Sequence, residues 1–518
     1  MIHWLPQHLR RRRARATGLS RRQFLSHSAR LGVAAGLAAP IAGLVGCGGG
    51  SSASAKAWDA LAASLSGTLL RPGSRGYNAA RLPTNLRYAS VHPDGIAQCL
   101  NAEDVRTSIL WARQHGVPLA ARGGGHSYGG FSTTGGLQID VSPLRSLSVD
   151  PDNGVLQAGS GARNMDVAAT LPAYDLVLPG GVCTTVCLSG LTLGGGLGYN
   201  ARQLGTTSDR LLSTEIVTAD GEILTCDAQH DADLFWAVRG GGGGNFGIHT
   251  SFTYQLSAAP PRVAVAYLEW HGAAAAAAVL EAYQPLLVHA PHAYSGLFSS
   301  FVLGDDDDPD ESLVAYLLTQ YRGPLDELRD LLAPLQAVAP PAVEDFQTLS
   351  FWEAQAYLSE SGGMPDATAD HSNFAVDPLP SAAIETIVDT LAHLPKGPTG
   401  TYGVCALFSW VGGAVNRVPA DATAFVHRDA AYLIEMGAAW PGGADAAVER
   451  TYVDWVDALW SSVQPYVTAA AYQNFIDPAL TDWQQAYYGA NFERLVQVKA
   501  AYDPDDLFHF AQSIPTHL

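Results

Sequence analysis

A single histidine, His126, stands between two clusters of glycine in the stretch RGGGHSYGG, residues 122–130. Glycine has no side chain beyond hydrogen, so a ligand can approach the backbone closely at such a place. The pattern therefore indicates a ligand that comes close to the chain beside a reactive imidazole.

Two further glycine-rich segments follow, GLTLGGGLGYN at 190–200 and RGGGGGNFG at 239–247. Each could present backbone N–H groups to an extended anion such as a pyrophosphate. The last segment contains G-x-G-x-x-G, but the residues after it, IHTSFTYQL, predict a strand, whereas a dinucleotide fingerprint requires a helix there. The Rossmann interpretation therefore fails. Three such segments in one region indicate one large anionic ligand.

The segments that must position these glycines alternate between short strands and helices. Residues 75–256 have an α+β pattern, with a β-hairpin predicted at the Asp-Gly pair of TADGEIL. Residues 257–469 alternate strand-like segments with alanine-rich helices, and 470–518 form a helix and a turn-rich tail. The acidic run GDDDDPDES at 304–312 lacks calcium-loop spacing, so we interpret it as a solvated loop and predict no metal site.

The first 46 residues contain eight arginines and no acidic residue, and SRRQFL precedes an apolar stretch. This segment resembles a twin-arginine export signal. LVGC, which ends at Cys47, resembles a lipoprotein processing box, so we expect cleavage there, acylation of Cys47 and a periplasmic or cell-surface location. The alternative is ordinary cleavage after Ala55. Residues 47–74 are then a tether and a short helix.

The remaining chain has 22 basic residues against 49 acidic ones. Such a surface argues against nucleic acid as a partner and favours a small-molecule substrate. Removing Cys47 leaves five cysteines, and an odd number in an exported protein suggests one with a separate role. Composition does not indicate the oligomeric state.

Four motifs in order carry a family resemblance: RGGGHSYGG, LPGGVCTTVCLSGLTLGGGLGYNARQLG, ADLFWAVRGGGGGNFGIHTSFTY and YYGANFERLVQVKAAYDPDDLFHFAQSIP. From about residue 75 onward the chain resembles the berberine-bridge-enzyme-like flavin oxidases of the vanillyl-alcohol-oxidase superfamily. The resemblance implies an α+β fold with a two-subdomain PCMH-type FAD-binding domain. It also implies a substrate domain on an antiparallel sheet with helices on one face, and a C-terminal segment that returns to the FAD domain.

The resemblance also implies where FAD would bind. His126 takes the place of the histidine that bonds to the flavin 8α-methyl group, and Cys183 that of the cysteine that bonds to flavin C6. Cys187 would be structural. The other cofactor-binding residues expected are Arg122, Gly123, Gly124, Gly125, Ser127, Gly129, Gly190, Gly194, Gly195, Gly196, Gly198, Gly242, Gly243, Gly244, Asn245, Phe246, Gly247, Ile248, Tyr487 and Asn491.

Three residues are implied as catalytic. Tyr487 matches a tyrosine that deprotonates the substrate hydroxyl, and Tyr128 matches a second active-site tyrosine. Glu435 stands where the family often has glutamine, so a carboxylate would enter the pocket. Aromatic packing is the alternative for both tyrosines.

The function expected is oxidation of an alcohol or carbohydrate hydroxyl, with hydride passing to the flavin and then O2 being reduced to H2O2. One alternative is a dehydrogenase that passes electrons to a quinone or periplasmic carrier. The other is a flavin-free glycan-binding lipoprotein.

Overall fold

The computed structural model describes residues 53–304, 312–360 and 366–518. Two sheets are built from the part of the chain that carries the glycine-rich segments. The four-stranded sheet has the order β1-β2-β4-β3, with β1 Thr68–Leu70, β2 Gly95–Gln98, β3 Leu119–Arg122 and β4 Leu137–Asp140. The five-stranded sheet has the order β5-β6-β10-β8-β9, with β5 Leu147–Asp150, β6 Val155–Gly159, β8 Leu211–Val217, β9 Ile223–Asp227 and β10 Ile248–Gln255.

Short helices connect and cover these strands. They are α1 Ala55–Ser64, α2 Tyr77–Arg81, α3 Ala102–His115, α4 Asn164–Thr170, α5 Leu188–Leu193, α6 Ala201–Leu204 and α7 Ala232–Ala237. A two-stranded ribbon pairs β7 Leu176–Val177 with β11 Ser257–Ala258. Helix α3 begins where the side chain of Asn101 accepts the backbone N–H of Asp104, which satisfies one of the free donors of the first turn.

A seven-stranded antiparallel sheet forms the second half of the molecule, in the order β15-β12-β14-β13-β17-β18-β16. Its strands are β12 Arg262–His271, β13 Tyr294–Leu303, β14 Val314–Tyr321, β15 Val343–Ser350, β16 Ala367–Ala375, β17 Tyr402–Phe408 and β18 Tyr432–Trp440. Four helices pack on one face and bury a continuous apolar core: α8 Ala273–His289, α9 Leu325–Val338, α11 Ser381–Ala392 and α12 Ala446–Val463. Helix α10, Phe351–Leu358, lies in the apolar cluster of the opposite face.

The C-terminal segment packs back onto the first half of the chain. Its helices are α13 Trp483–Tyr488 and α14 Phe492–Tyr502. Leu495 and Val496 share one buried core with Phe235, which precedes the third glycine-rich segment, and with Phe246, which lies within it. The expected α+β class, with an antiparallel substrate sheet and a returning C-terminal segment, is confirmed.

Two local predictions from the sequence agree with the structure. Strands β8 and β9 pair antiparallel across the Asp-Gly turn, with Val217 opposite Ile223. Strand β10 begins at Ile248, directly after Gly247, so the glycine fingerprint is followed by a strand and not by a helix. The export signal, Cys47 and the acidic run 305–311 lie outside the described residues. Within the described ranges, the helices are too short or too polar to cross a membrane.

Candidate active site

A cavity of about 1020 Å³ lies between the first two sheets and the open face of the seven-stranded sheet. Residues of all three glycine-rich segments line one side of it. The opposite wall comes from strands β16 and β17, through Asp370, Tyr402, Val404 and Phe408. The C-terminal segment contributes residues 472–476 and 506–510. Because three distant parts of the chain meet here, this cavity is the candidate active site.

His126 and Cys183 lie on the same cavity wall, on either side of Thr185. The Thr185 Oγ1 atom is 3.0 Å from His126 Nε2 and 3.5 Å from Cys183 Sγ. Burial and the nearby guanidinium groups of Arg163 and Arg122 lower the pKa of His126 to about 4. The imidazole is therefore neutral at pH 7, the form in which it can act as a nucleophile.

The Cys183 thiol lies in a buried setting. Burial and the Glu360 carboxylate raise the pKa of Cys183, while its contact with Thr185 lowers it. Cys187 also lines the cavity, but its buried thiol donates to the carbonyl of Gly161 at 3.3 Å. The structure thus separates the two cysteines of GVCTTVC into one beside His126 and one held by the backbone.

The glycine loop before His126 offers backbone donors. None of the N–H groups of residues 123–127 donates to another described residue. Gly125 has φ +75°, and a Cβ there would stand 2.7 Å from Nη2 of the buried Arg122. Only glycine fits this close approach. Successive free N–H groups in such a turn form a site for an anion.

The residues present fit FAD. Gly190 lines the cavity, and no described atom lies within 4 Å of the point where its Cβ would stand, so its backbone faces open space. The free N–H groups of 123–127 suit the pyrophosphate, and the cavity is long enough to bring three glycine segments to one ligand. His126 and Cys183 then stand on the wall opposite the substrate sheet.

Two carboxyl groups lie on the substrate side. Strand register places Asp370 opposite Gly437, and Glu435 opposite Ala406 and Ser372, so both residues lie on the same face of the sheet. Asp370 lines the cavity, whereas Glu435, which was expected to bring a carboxylate into the pocket, is fully buried and does not line it. Burial raises the pKa of Asp370 to about 7. Burial and the charges of Asp370 and Glu360 raise the pKa of Glu435 well above its ordinary value, and its contact with the Tyr128 side chain acts in the opposite direction. Glu435 is therefore harder to ionise than an ordinary carboxyl group, and Asp370 is the carboxyl group that titrates near neutral pH.

Tyr128 lies against this pair. Burial and the neighbouring carboxylates, Glu435 first, raise the pKa of Tyr128 well above its ordinary value, so its phenol stays protonated. Its ring stacks on Phe475 with centroids 5.1 Å apart and planes 3° apart. Tyr128 can therefore donate a hydrogen bond from a fixed ring, but it is a poor base.

A short loop of the C-terminal segment completes the cavity. The Tyr472 hydroxyl accepts the N–H of Gly196 at 3.1 Å and the amide of Asn474 at 3.0 Å. Burial raises the pKa of Tyr472 to about 12. The N–H of Tyr472 donates to Ser372 Oγ, which fixes the loop on the substrate sheet.

Many of the residues expected from the sequence do line this cavity. They are Arg122, Gly123, Gly124, Gly125, His126, Ser127, Tyr128, Cys183, Gly190, Gly243, Gly244, Gly247 and Ile248.

Tyr487 requires a correction. It is buried in the core beneath the cavity, and its hydroxyl accepts the N–H of Asp477 at 2.8 Å. Burial raises its pKa further from neutrality. Tyr487 therefore holds the loop that precedes it, and the expectation that it touches cofactor or substrate is wrong.

Several expected cofactor contacts also lie behind the wall. Gly194, Gly195, Gly196 and Gly198 leave space for Asn474, Phe425, Thr207 and the carbonyl of Gly180, each of which a Cβ would strike. Asn245 donates to the Gly241 carbonyl and accepts from Ile514, and Asn491 donates to the carbonyls of Ala420 and Thr423. Gly129, Gly242 and Phe246 likewise do not line the cavity. These residues pack within the cavity wall. A glycine allows other protein atoms to approach the backbone as closely as a ligand would, so a glycine-rich segment can serve folding as well as ligand binding.

Sequence reasoning missed Thr185, Asp370 and Tyr472. Thr185 lies within the GVCTTV motif, in which the family resemblance assigns a role only to the cysteine. Asp370 and Ser372 alternate on β16, a period-two pattern that places both on one face. Tyr472 lies at the predicted boundary of the C-terminal segment, where no motif marked it.

The chain is similar in sequence to known proteins over most of its length. The chain matches the family models described as "FAD binding domain" over residues 93–227 and "Berberine and berberine like" over residues 471–515. The FAD-linked oxidoreductase YgaK of Bacillus subtilis is 36% identical over 458 residues, which is 87% of this chain and 97% of that protein. Monolignol oxidoreductase AtBBE-like 13 of Arabidopsis thaliana is 28% identical over 84% of this chain and 86% of its own.

Solved structures share the fold. The structure of Physcomitrella patens BBE-like 1 superposes with a TM-score of 0.79 at 27% identity, covering 89% of this chain and 99% of its own. A xylooligosaccharide oxidase from Myceliophthora thermophila C1, solved with xylobiose, has a TM-score of 0.76 at 23% identity, covering 89% of this chain and 99% of its own.

Proposed function

We propose that this chain, which belongs to the berberine-bridge-enzyme-like family of FAD-linked oxidoreductases, is an oxidase of alcohols or carbohydrate hydroxyls that carries FAD on two covalent bonds, to His126 and Cys183. The observation that supports the two bonds is the juxtaposition of a neutral imidazole and a thiol on one cavity wall, bridged by Thr185. When bound, FAD would accept a hydride from the substrate carbon and pass the electrons to O2, which yields H2O2.

The chain's own part in the reaction is to hold the substrate and remove its hydroxyl proton. Asp370 is the candidate base, because its pKa near 7 matches neutral conditions and it faces the cavity. The raised pKa of Glu435 disfavours a second negative charge near Asp370. The protonated phenol of Tyr128 donates a hydrogen bond to the substrate and orients it against the wall.

An alcohol on a ring scaffold suits the walls. Tyr128, Tyr402, Phe408 and Trp410 line the same cavity as Asp370, and the rings of Phe408 and Trp410 are in contact with centroids 4.4 Å apart. Aromatic faces bind sugar and aryl rings, while the Asp370 carboxyl group can recognise a hydroxyl group. The relative named for monolignols, which are alcohols, supports the same class.

A substrate screen tests the proposed reaction. Purified protein is mixed under air with sugars and aryl or allylic alcohols, and H2O2 is measured by a coupled peroxidase assay. We expect one H2O2 for each molecule of product. Product formed only when a quinone is added, with no peroxide under air, would identify a dehydrogenase and contradict the oxidase.

We also propose that the chain is exported by the twin-arginine pathway and anchored through acylated Cys47. The Arg-Arg pair in SRRQFL and the LVGC sequence support this location. Cell fractionation tests it: we expect the wild-type protein in the membrane fraction and Cys47→Ala in the soluble fraction. Equal partition of both would contradict the anchor.

A further inference from the structure

The hydroxyl of Thr185 is the shared neighbour of His126 and Cys183, at 3.0 Å from Nε2 and 3.5 Å from Sγ. We propose that Thr185 is a positioning residue for flavin attachment, with its hydroxyl accepting the Nε2 proton of His126 while donating its own proton to the sulfur of Cys183. The inference rests on the proposed two-bond attachment of FAD. It assigns a role to a side chain that belongs to neither bond.

The backbone holds Thr185 in this place. Asn164 donates its side-chain amide to the Cys183 carbonyl at 2.8 Å, and its N–H to the Val186 carbonyl at 3.0 Å. On the other side, the N–H of Thr184 donates to the Glu360 carbonyl at 3.1 Å. The segment 183–186 is thus clamped from two sides, so the Thr185 hydroxyl has a defined position before any ligand arrives.

One hydroxyl can serve both nucleophiles, because it carries one proton and two lone pairs. When Nε2 donates to Thr185, the imidazole proton is fixed on Nε2 and the lone pair of the ring stays on Nδ1. When Thr185 donates to sulfur, it favours the thiolate, the reactive form of cysteine. The Thr185 contact lowers the pKa of Cys183 against the effect of burial, which agrees in direction.

The formation of each flavin bond is a two-electron oxidation. An N–H or S–H bond and one flavin C–H bond are broken, and one N–C or S–C bond is formed. The two electrons go to O2, which takes up both hydrogens as H2O2. Dioxygen is the oxidant of the proposed reaction, so no further reactant is needed. Thr185 is unchanged at the end, because it only holds the two nucleophiles by hydrogen bonds and keeps its own proton.

Full-length protein variants test the inference. Thr185→Val and Thr185→Ala remove the hydroxyl, Thr185→Ser keeps it, and Thr184→Val is the matched control, since Thr184 does not line the cavity. Each protein is supplied with FAD under air. Acid-denatured samples taken over time are analysed by intact mass and by peptide mapping, while the absorbance of the undenatured protein reports total bound FAD.

We expect Thr185→Val and Thr185→Ala to bind FAD but to form both bonds about tenfold more slowly, the order expected for loss of one buried hydrogen bond. Thr185→Ser and Thr184→Val should match the wild type. Wild-type rates in either hydroxyl-free variant would overturn the role of Thr185 alone. A wild-type chain with no covalent flavin would overturn the proposed attachment together with this inference.

Discussion

At the scale of single residues, the chemistry depends on which carboxyl group can lose a proton near neutral pH. Burial raises the pKa of Asp370 to about 7, whereas Glu435 is held well above its ordinary range. Because only the deprotonated Asp370 can accept the substrate proton, kcat/KM should rise as pH increases through about 7. Asp370→Asn should remove this limb of the pH profile and lower kcat/KM about 100-fold or more.

Steady-state kinetics between pH 5 and 9 check this expectation. Asp377→Asn is a suitable control, because Asp377 follows the same strand but is exposed and does not line the cavity. Its pH profile should match the wild type. An unchanged profile in Asp370→Asn would show that another group is the base.

Tyr487 gives a second residue-scale expectation, and it separates a packing role from a catalytic one. Tyr487→Phe removes the acceptor for the buried N–H of Asp477, so the free energy of unfolding should fall by about 1–3 kcal/mol. The kcat/KM value should stay within a few-fold of wild type, because Tyr487 does not reach the cavity. Urea denaturation and kinetics on the same samples measure both. A large loss of kcat with unchanged stability would restore a catalytic role.

At the scale of elements, a buried histidine fixes the C-terminal loop to the substrate sheet. His371 on β16 bonds through Nδ1 to Asp477 at 2.5 Å and through Nε2 to Asp457 of α12 at 2.7 Å, and it stacks on Trp460. Burial opposes its charge, but the two carboxylates outweigh burial and raise the pKa of His371. Asp370, the preceding residue on the strand, is a third acidic neighbour of His371.

His371→Asn should therefore destabilise the protein by about 3–5 kcal/mol at pH 6, the cost of breaking a buried ion pair. A raised folded-state pKa means that the stabilisation is complete below the unfolded pKa of about 6.5 and is lost as pH rises through the folded value. The difference between variant and wild type should shrink from pH 6 to pH 9. Urea midpoints across this range measure it; a constant difference would contradict a charged His371.

The same scale shows what sequence could predict. The β8–β9 hairpin and strand β10 were predictable, because turn chemistry and apolar periodicity are local. His126 is predictable from the glycine clusters that flank it, and Cys183 is predictable from the resemblance of its motif to that of a known family. Asp370 and Tyr472 were missed because their roles depend on strand register and on a loop that returns from a distant part of the chain. The prediction for Tyr487 is wrong for the same reason. A motif shows which residues are neighbours along the chain, but it does not show whether a side chain points into the cavity or into the core behind its wall.

At the scale of the whole molecule, the cavity is assembled from both halves and the C-terminal segment, so bound FAD should hold them together. A buried ion pair between Arg428 and Asp209, with nitrogen and oxygen 2.7 Å apart, also joins the two halves. In the double variant His126→Ala/Cys183→Ala, FAD can only bind reversibly. Its free energy of unfolding should then rise with free FAD, by about 2.7 kcal/mol at 100 times Kd.

Thermal or urea unfolding at graded FAD concentrations measures this linkage. The wild type serves as the control, because attached FAD cannot dissociate and its stability should not depend on added FAD. If the free energy of unfolding of the double variant does not change with FAD concentration, the cavity does not bind FAD.

We propose that this cavity holds one FAD attached by two covalent bonds. The most direct measurement is the intact mass of the purified protein after denaturation in acid, for the wild type, His126→Ala, Cys183→Ala and the double variant. We expect one FAD retained by the wild type and by each single variant, and none by the double variant. Release of the flavin from the wild type by acid would contradict the claim.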